Sequence, residues 1–178
     1  MIIRLYKVFM QYRFIKQHLK IGKDTKILTS FLNFGSEPYL IEIGDNCLIT
    51  SGVKFLTHDG SVAILFKKYK NINLSEVYGK YNKLGRIKIG NNVFIGINSI
   101  IMPNVNIGDN VIIGAGSVVT KNIPSNYVYA GNPAREICKI EDLMNEVLVK
   151  SIRIEVTDKY ERMKYILNLF EEQLLNED

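Results

Sequence analysis

The sequence predicts an all-β solenoid of hexapeptide repeats, with helices at its N- and C-terminal ends. Three observations predict it. Ile89, Ile95, Ile101, Ile107, Ile113 and Val119 are aliphatic and stand six residues apart. Four positions after each come Val93, Ser99, Val105, Val111, Ser117 and Ile123, all small or aliphatic. Just before these stand Asn92, Asn98, Asn104, Asn110, Gly116 and Asn122. Asn and Gly most readily accept positive φ, so one sharp corner recurs in every repeat. That period fits neither an α-helix nor a hairpin sheet, and it does fit a stacked hexapeptide coil. Three repeats close one triangular turn, and successive turns stack at the spacing of paired strands, about 4.8 Å.

The elements follow in order. Residues 1–20 read as a helix with Leu5, Phe9, Phe14 and Leu19 on one side. The favoured reading is a cap on the open end of the solenoid, which such arrays need. The alternative is a basic amphipathic helix lying on a membrane. The coil is expected over residues 21–137. Ile21, Thr25, Ile27 and Phe31 form a degenerate first turn, and the period slips at Asn33–Tyr39. It resumes at Ile43, Ile49 and Phe55, with Cys47 and Val53 in the small column and Asn46 and Gly52 at the corners.

Residues 56–86 lose the period and read as a protruding loop rich in Lys and Tyr. An irregular stretch this long inside a compact domain is often functional. Residues 138–178 turn helical. Ile140, Leu143, Val147 and Ile154 suggest one passage; Tyr160, Met163, Leu167, Phe170 and Leu174 form a stripe on a second helix. Asp158 with Glu161 resembles a capping box. This extension is expected to pack on the solenoid or on a neighbouring subunit.

Length and composition bound the rest. The chain has 178 residues, 47% of them hydrophobic, enough for one domain with a core. A net charge of +5 favours a polyanionic ligand. There is no zinc-ligand spacing or RNA-binding aromatic motif, which argues against nucleic acid and for a phosphorylated cofactor. Cys47 and Cys138 demand no disulfide, and a reduced cytoplasmic setting fits. Arg4, Lys7, Arg13 and Lys16 interrupt the apolar N-terminus, so it reads as neither signal peptide nor span, and membrane association is not expected.

Three stretches carry a resemblance. They are Ile89-Gly90-Asn91-Asn92-Val93-Phe94-Ile95-Gly96, Ile113-Gly114-Ala115-Gly116-Ser117-Val118-Val119-Thr120-Lys121 and Ala130-Gly131-Asn132-Pro133-Ala134-Arg135. Over roughly residues 21–137 the chain resembles the hexapeptide-repeat acyltransferases: the maltose, galactoside and xenobiotic acetyltransferases and the capsular-polysaccharide O-acetyltransferases. Gly35-Ser36-Glu37-Pro38-Tyr39 and Thr57-His58-Asp59-Gly60-Ser61 look most like the polysaccharide-modifying branch. The resemblance implies a left-handed parallel β-helix, a homotrimer with its active site between subunits, and acetyl transfer from acetyl-CoA. It assigns the general base to the histidine at the start of the loop, here His58. It also implies that Ala115 and Thr120 line the groove for the CoA arm and that Lys121 and Arg135 reach the nucleotide end. Gly131 and Pro133 would shape the turn that presents Arg135.

The residues, read for their chemistry, agree. A hydroxyl attacking a thioester must lose its proton, and histidine titrates near neutrality. Of the two histidines, His18 lies in the basic N-terminal helix, whereas His58 stands where the repeat breaks. A His in a Thr-His-Asp-Gly turn is more often structural; the surrounding repeat and loop reverse that weighting. Asp59 could orient its ring or be a turn residue. Lys121 reads equally as a solvated lysine. Ile97 replaces the Ser that galactoside enzymes often carry beside the thioester, and Asn33, Glu37 and Asp59 are the acceptor-binding candidates. Tyr69, Tyr78 and Tyr81 could stack on sugar rings or pack the loop.

The favoured function is an acetyl-CoA-dependent O-acetyltransferase acting on a sugar or polysaccharide-precursor hydroxyl, with no metal. The alternatives are an N-acetyltransferase of an amino-sugar nucleotide and a non-catalytic scaffold. A zinc carbonic anhydrase on the same coil needs three histidines, and only His58 is available.

Overall fold

The computed structural model describes residues 2–77 and 80–175, in two compact units, Met1–Leu143 and Met144–Asp178. The first begins with helix α1 (Ile2–His18). The first coil is β1 (Lys20–Ile21) and β2 (Lys26–Ile27), with a 3₁₀ turn at Phe31–Phe34 where a third strand would stand. A second 3₁₀ turn, Pro38–Leu40, leads into the next coil: β3 (Ile41–Ile43), β4 (Leu48–Ile49) and β5 (Lys54–Phe55).

The chain then leaves the coil. This excursion holds β6 (His58–Asp59), α2 (Val62–Lys70), α3 (Leu74–Val77) and β7 (Lys83–Leu84). It returns through β8 (Ile87–Ile89), β9 (Val93–Ile95) and β10 (Ile100–Ile101), then β11 (Asn106–Ile107), β12 (Val111–Ile113) and β13 (Val118–Val119). The coil ends in an antiparallel hairpin, β14 (Tyr127–Ala130) with β15 (Arg135–Lys139).

Three parallel sheets form the walls. The first is β1-β3-β8-β11, the second β2-β4-β9-β12-β14, and the third β5-β10-β13. Pairing is in phase with the repeat, so Ile43, Ile89 and Ile107 stack in the first wall and Phe55, Ile101 and Val119 in the third. These side chains and the small column from Cys47 to Ile123 are buried in one continuous core. The two buried serines of that column are satisfied: Ser99 and Ser117 hydroxyls both donate to the Gly114 carbonyl, at 3.0 and 2.6 Å.

The corners follow the Asn/Gly column, with one exception. Asn46, Gly52, Asn92, Asn98, Asn104, Asn110 and Gly116 have φ between 54° and 74°. Asn122 does not share that positive φ. Its side-chain Oδ1 instead accepts the Asn106 N–H at 2.8 Å, and left-handed backbone appears at Asn126.

Several expectations are corrected. The α1 face that meets the coil is Ile15 and Leu19, both buried, with Tyr12 edge-on to Phe31 at 5.2 Å. Phe9 and Phe14, expected on that face, are exposed, and the Leu5 side chain lies outside the described residues. The helix carries apolar residues at several spacings, and the i, i+4 pair that joins the buried core is the one used. The aperiodic stretch is no bare loop: two short helices fold across it, and Phe66 packs on Tyr81 with centroids 4.5 Å apart. The strand β15 runs through Lys139, past the expected start of the helical extension, and α4 (Ile140–Lys150) ends before Ile154.

In the second unit α5 spans Lys159–Leu175. Asp158 Oδ1 accepts the N–H groups of Tyr160 and Glu161, both at 2.9 Å, as the sequence anticipated for a cap. Met163, Leu167 and Phe170 are exposed.

Candidate active site

The excursion leaves the coil at the edge where the third wall turns into the first. Because β5, β10 and β13 are in register, the residues that follow them stack along this edge: Leu56, then Met102 to Asn104, then Thr120 to Asn122. The root of the excursion is closed by the Gly85 N–H, which donates to the Thr57 carbonyl at 2.8 Å. Pairing of β6 with β7 then sets His58 opposite Leu84 and Asp59 opposite Lys83.

His58 Nδ1 lies 2.8 Å from Glu37 Oε2. A carboxylate only accepts, so Nδ1 carries a proton, and in the neutral ring Nε2 keeps its lone pair. The same Glu37 oxygen accepts the hydroxyl of buried Thr57 at 2.6 Å. Glu37 is held between the two 3₁₀ turns, directly before Pro38. Burial pushes its carboxyl up, but hydrogen bonds from Thr57, His58 and Ser36 and the His58 charge outweigh this. The carboxyl is therefore held below its usual range and is ionised at neutral pH. The His58 side chain is 39% exposed and opens on a cleft of about 330 Å³ lined by Ser36, Glu37, Gly60, Ala63, Tyr81 and Asn82.

Asp59 does not orient the imidazole: its Oδ1 accepts the Ser61 N–H at 2.9 Å, next to the start of α2. Asn33 is turned to the coil, its amide donating to Thr29 Oγ1 at 2.7 Å, and it does not line the cleft. Glu37, expected at the acceptor, lines the cleft and also bonds His58 Nδ1. Of the tyrosines, Tyr81 lines the cleft, Tyr69 is exposed, and Tyr78 lies outside the described residues. Ser36 and Asn82 were not singled out in the sequence, where a polar loop residue carries no distinguishing signal.

Further along the same edge, Thr120, Lys121 and Arg135 come together around a pocket of about 360 Å³, with Tyr129 and Ala134 in its wall. A smaller hollow of about 180 Å³ shares Thr120 with this pocket and is lined also by Asp59 and Lys83 from the excursion and by Pro103 and Asn104. Gly131 and Pro133 sit in the turn between β14 and β15. There the Val118 N–H donates to the Gly131 carbonyl and the Ala134 N–H to the Val118 carbonyl, at 2.9 and 2.8 Å, and Gly131 has φ 101°. The turn places Arg135 at the start of β15. Ala115 is not brought to this pocket. It lies between β12 and β13, on the other edge of the third wall, as Ile97 does one coil below, between β9 and β10. Among the described residues no group of acids, cysteines and histidines is placed to hold a metal.

The fold and the residues on this edge agree with what the chain is similar to. Residues 86–121 match the family described as bacterial transferase hexapeptide (six repeats). The chain is 48% identical over 162 residues to Protein CapG of Staphylococcus aureus, covering 90% of this chain and 89% of that protein. It is 40% identical over 119 residues to the galactoside O-acetyltransferase of Escherichia coli (strain K12), covering 67% of this chain and about half, 54%, of that enzyme. A solved galactoside acetyltransferase in complex with coenzyme A superposes with a TM-score of 0.59 at 32% identity, over 80% of this chain and 76% of that one. The coil is thus the hexapeptide-repeat fold, a left-handed β-helix. The chain belongs to the hexapeptide-repeat acetyltransferases.

Proposed function

We propose that the protein transfers an acetyl group from acetyl-CoA to a hydroxyl of a sugar or polysaccharide precursor, as a cytoplasmic homotrimer with His58 as general base. The observation that carries this reading is the 2.8 Å pair of His58 Nδ1 with Glu37, in a cleft at the root of the excursion. A carboxylate bonded to one ring nitrogen leaves the other free to accept a proton, which a sugar hydroxyl must lose to become a nucleophile. Nε2 takes that proton as the oxygen bonds to the acyl carbon, and returns it to the departing sulfur. Glu37 holds the tautomer before the step and balances the imidazolium during it.

The donor supplies the activated acetyl group and several phosphates. Lys121 and Arg135, two cations around one pocket, suit the phosphates. Thr120 lines both that pocket and the hollow beside Asp59, which follows His58 in β6. Ala115 belongs to the groove from the facing edge of a neighbouring chain. The Glu37-Pro38 and His58-Asp59-Gly60 context favours a hydroxyl acceptor over an amine.

A free-CoA release assay over sugars, nucleotide sugars and amines tests the reading. With the true acceptor, His58→Ala lowers kcat on the order of 10²–10⁴-fold, while acetyl-CoA affinity and assembly mass stay the same. His18, whose Nδ1 bonds the Phe14 carbonyl at 2.8 Å in α1, is the control, and His18→Ala leaves kcat unchanged. Near-normal turnover by the His58 variant would sink the mechanism.

A further inference from the structure

Helix α1 interleaves apolar side chains with cations, and the coil covers only one edge of it. Beyond buried Ile15 and Leu19, the helix exposes Tyr6 at 62% and Phe9 at 55%, together with Val8, Met10 and Phe14. Its charges have a single sign. Arg4, Lys7, Arg13, Lys16, Lys20 and Lys23 precede the first acid, Asp24. The other 155 residues hold 17 cations against all 18 acids, so the net positive charge of the chain resides in this segment. Lys7, Arg13 and Lys16 are exposed, and the Arg13 guanidinium lies 6.0 Å from the Phe9 ring centroid. Exposed apolar side chains gathered on one helix call for cover from protein or lipid. Among the described residues no helix is long and apolar enough to cross a membrane.

We propose that α1 lies on an anionic phospholipid surface, with its exposed aromatic and aliphatic side chains in the headgroup boundary and its cations on lipid phosphates. Aromatic rings and long basic side chains suit that depth, because each joins an apolar body to a tip that stays wet. Charge decides the occupant. Packing α1 against α1 of a second copy would bring two all-cationic helices together with no acid between them. An anionic bilayer supplies the missing countercharge. The proposal reverses the expectation from sequence, since the capping edge and the lipid-facing side are different sides of one helix. It also has a consequence for the cleft. The 3₁₀ turns on which α1 packs are the ones that bracket Ser36 and Glu37, so a docked helix holds the His58 cleft beside the bilayer. The docking itself does not depend on acetyl transfer.

Vesicle flotation of the full chain tests it without any acceptor. The protein should float with vesicles of phosphatidylcholine and phosphatidylglycerol in equal parts at low salt, and not with phosphatidylcholine alone. Salt at about 1 M, where the Debye length is about 3 Å, should release it. Phe9→Ser with Met10→Ser should weaken partitioning at least tenfold by the loss of apolar contact, at roughly 0.8 kcal/mol per buried CH₂. Lys7→Gln with Arg13→Gln keeps the apolar side chains and tests charge alone; each lost cation should weaken binding about fivefold. All four positions are exposed, and circular dichroism and assembly mass in lipid-free buffer verify that the variants fold. Failure of the wild-type chain to float with anionic vesicles would overturn the proposal, as would unchanged flotation of both variants. A lower assembly mass for the Phe9 variant without lipid would also overturn it, by showing that a second copy covers this face.

Discussion

At the scale of single residues, the pair of His58 with Glu37 matters more than either side chain alone. Gln in place of Glu37 keeps the shape but loses the charge, and its amide no longer forces the proton onto Nδ1. Glu37→Gln should therefore lower kcat, by less than His58→Ala does, with acetyl-CoA affinity retained; steady-state kinetics on both variants checks the order. The same carboxyl links stability to pH. Its folded pKa lies below the ordinary 4.5, so the folded chain binds that proton less readily than the unfolded one. The stabilisation is complete above the ordinary value and disappears as pH falls through the lowered folded value. Thermal unfolding should find wild type ahead of Glu37→Gln at pH 7, with the gap closing below about pH 4. Part of this site was legible in the sequence. His58 stood out because it is one of two histidines and sits where the period breaks. The roles of Glu37 and Asn33 were not, since the aperiodic turn at residues 30–40 gives no register from which to place a side chain.

At the scale of elements, the corners show how six residues make a wall end. Asn92 Nδ2 donates to Asn110 Oδ1 at 3.0 Å, and Asn110 Nδ2 to Asn126 Oδ1 at 2.9 Å, so one ladder links three turns. Asn110 also holds φ 54°, which costs most other residues roughly 1–2 kcal/mol. Asn110→Ala should thus destabilise by about 2 kcal/mol, from the strained backbone and two lost side-chain bonds. Asn122→Ala, which loses one bond and meets no left-handed backbone, should cost about 1 kcal/mol. Denaturant unfolding of the two variants orders them. The walls could be read in advance because each repeat states its inward, small and corner positions separately. The hairpin β14–β15 could not, because Arg135-Glu136-Ile137-Cys138-Lys139 is largely exposed and lacks a clean alternation. The helices of the excursion were hidden for a related reason: α2 buries only Ala63 among its described side chains, too little to impose a stripe.

At the scale of the whole molecule, the cations and the coil edges lead to two expectations. Arg135→Ala should weaken acetyl-CoA binding by roughly 1.5–3 kcal/mol, the worth of a charge-assisted hydrogen bond. Lys121→Ala should weaken it less, and calorimetry on folded protein measures both. The second expectation concerns assembly. Thr120, Lys121 and His58 belong to one edge of the third wall, while Ala115 and exposed Ile97 belong to its other edge. Residues expected on one ligand are thus split across a wall. Side-by-side chains join the two sets by setting one edge against the opposite edge of a neighbour, and three such contacts close a ring. Light scattering should give three times 20.4 kDa. Complementation then separates a shared groove from a private one. His58→Ala removes the base, and Ala115→Trp should block the facing edge; each variant alone should be inactive. In mixed assemblies, a site that takes His58 from the chain carrying Ala115→Trp and the open edge from its neighbour is intact. Activity should therefore return when the two variants are co-expressed, and not when separately assembled proteins are mixed without exchange. If co-assembled variants of confirmed mixed composition stayed inactive, the groove would lie within one chain, and trimer mass alone would not rescue the shared-site reading.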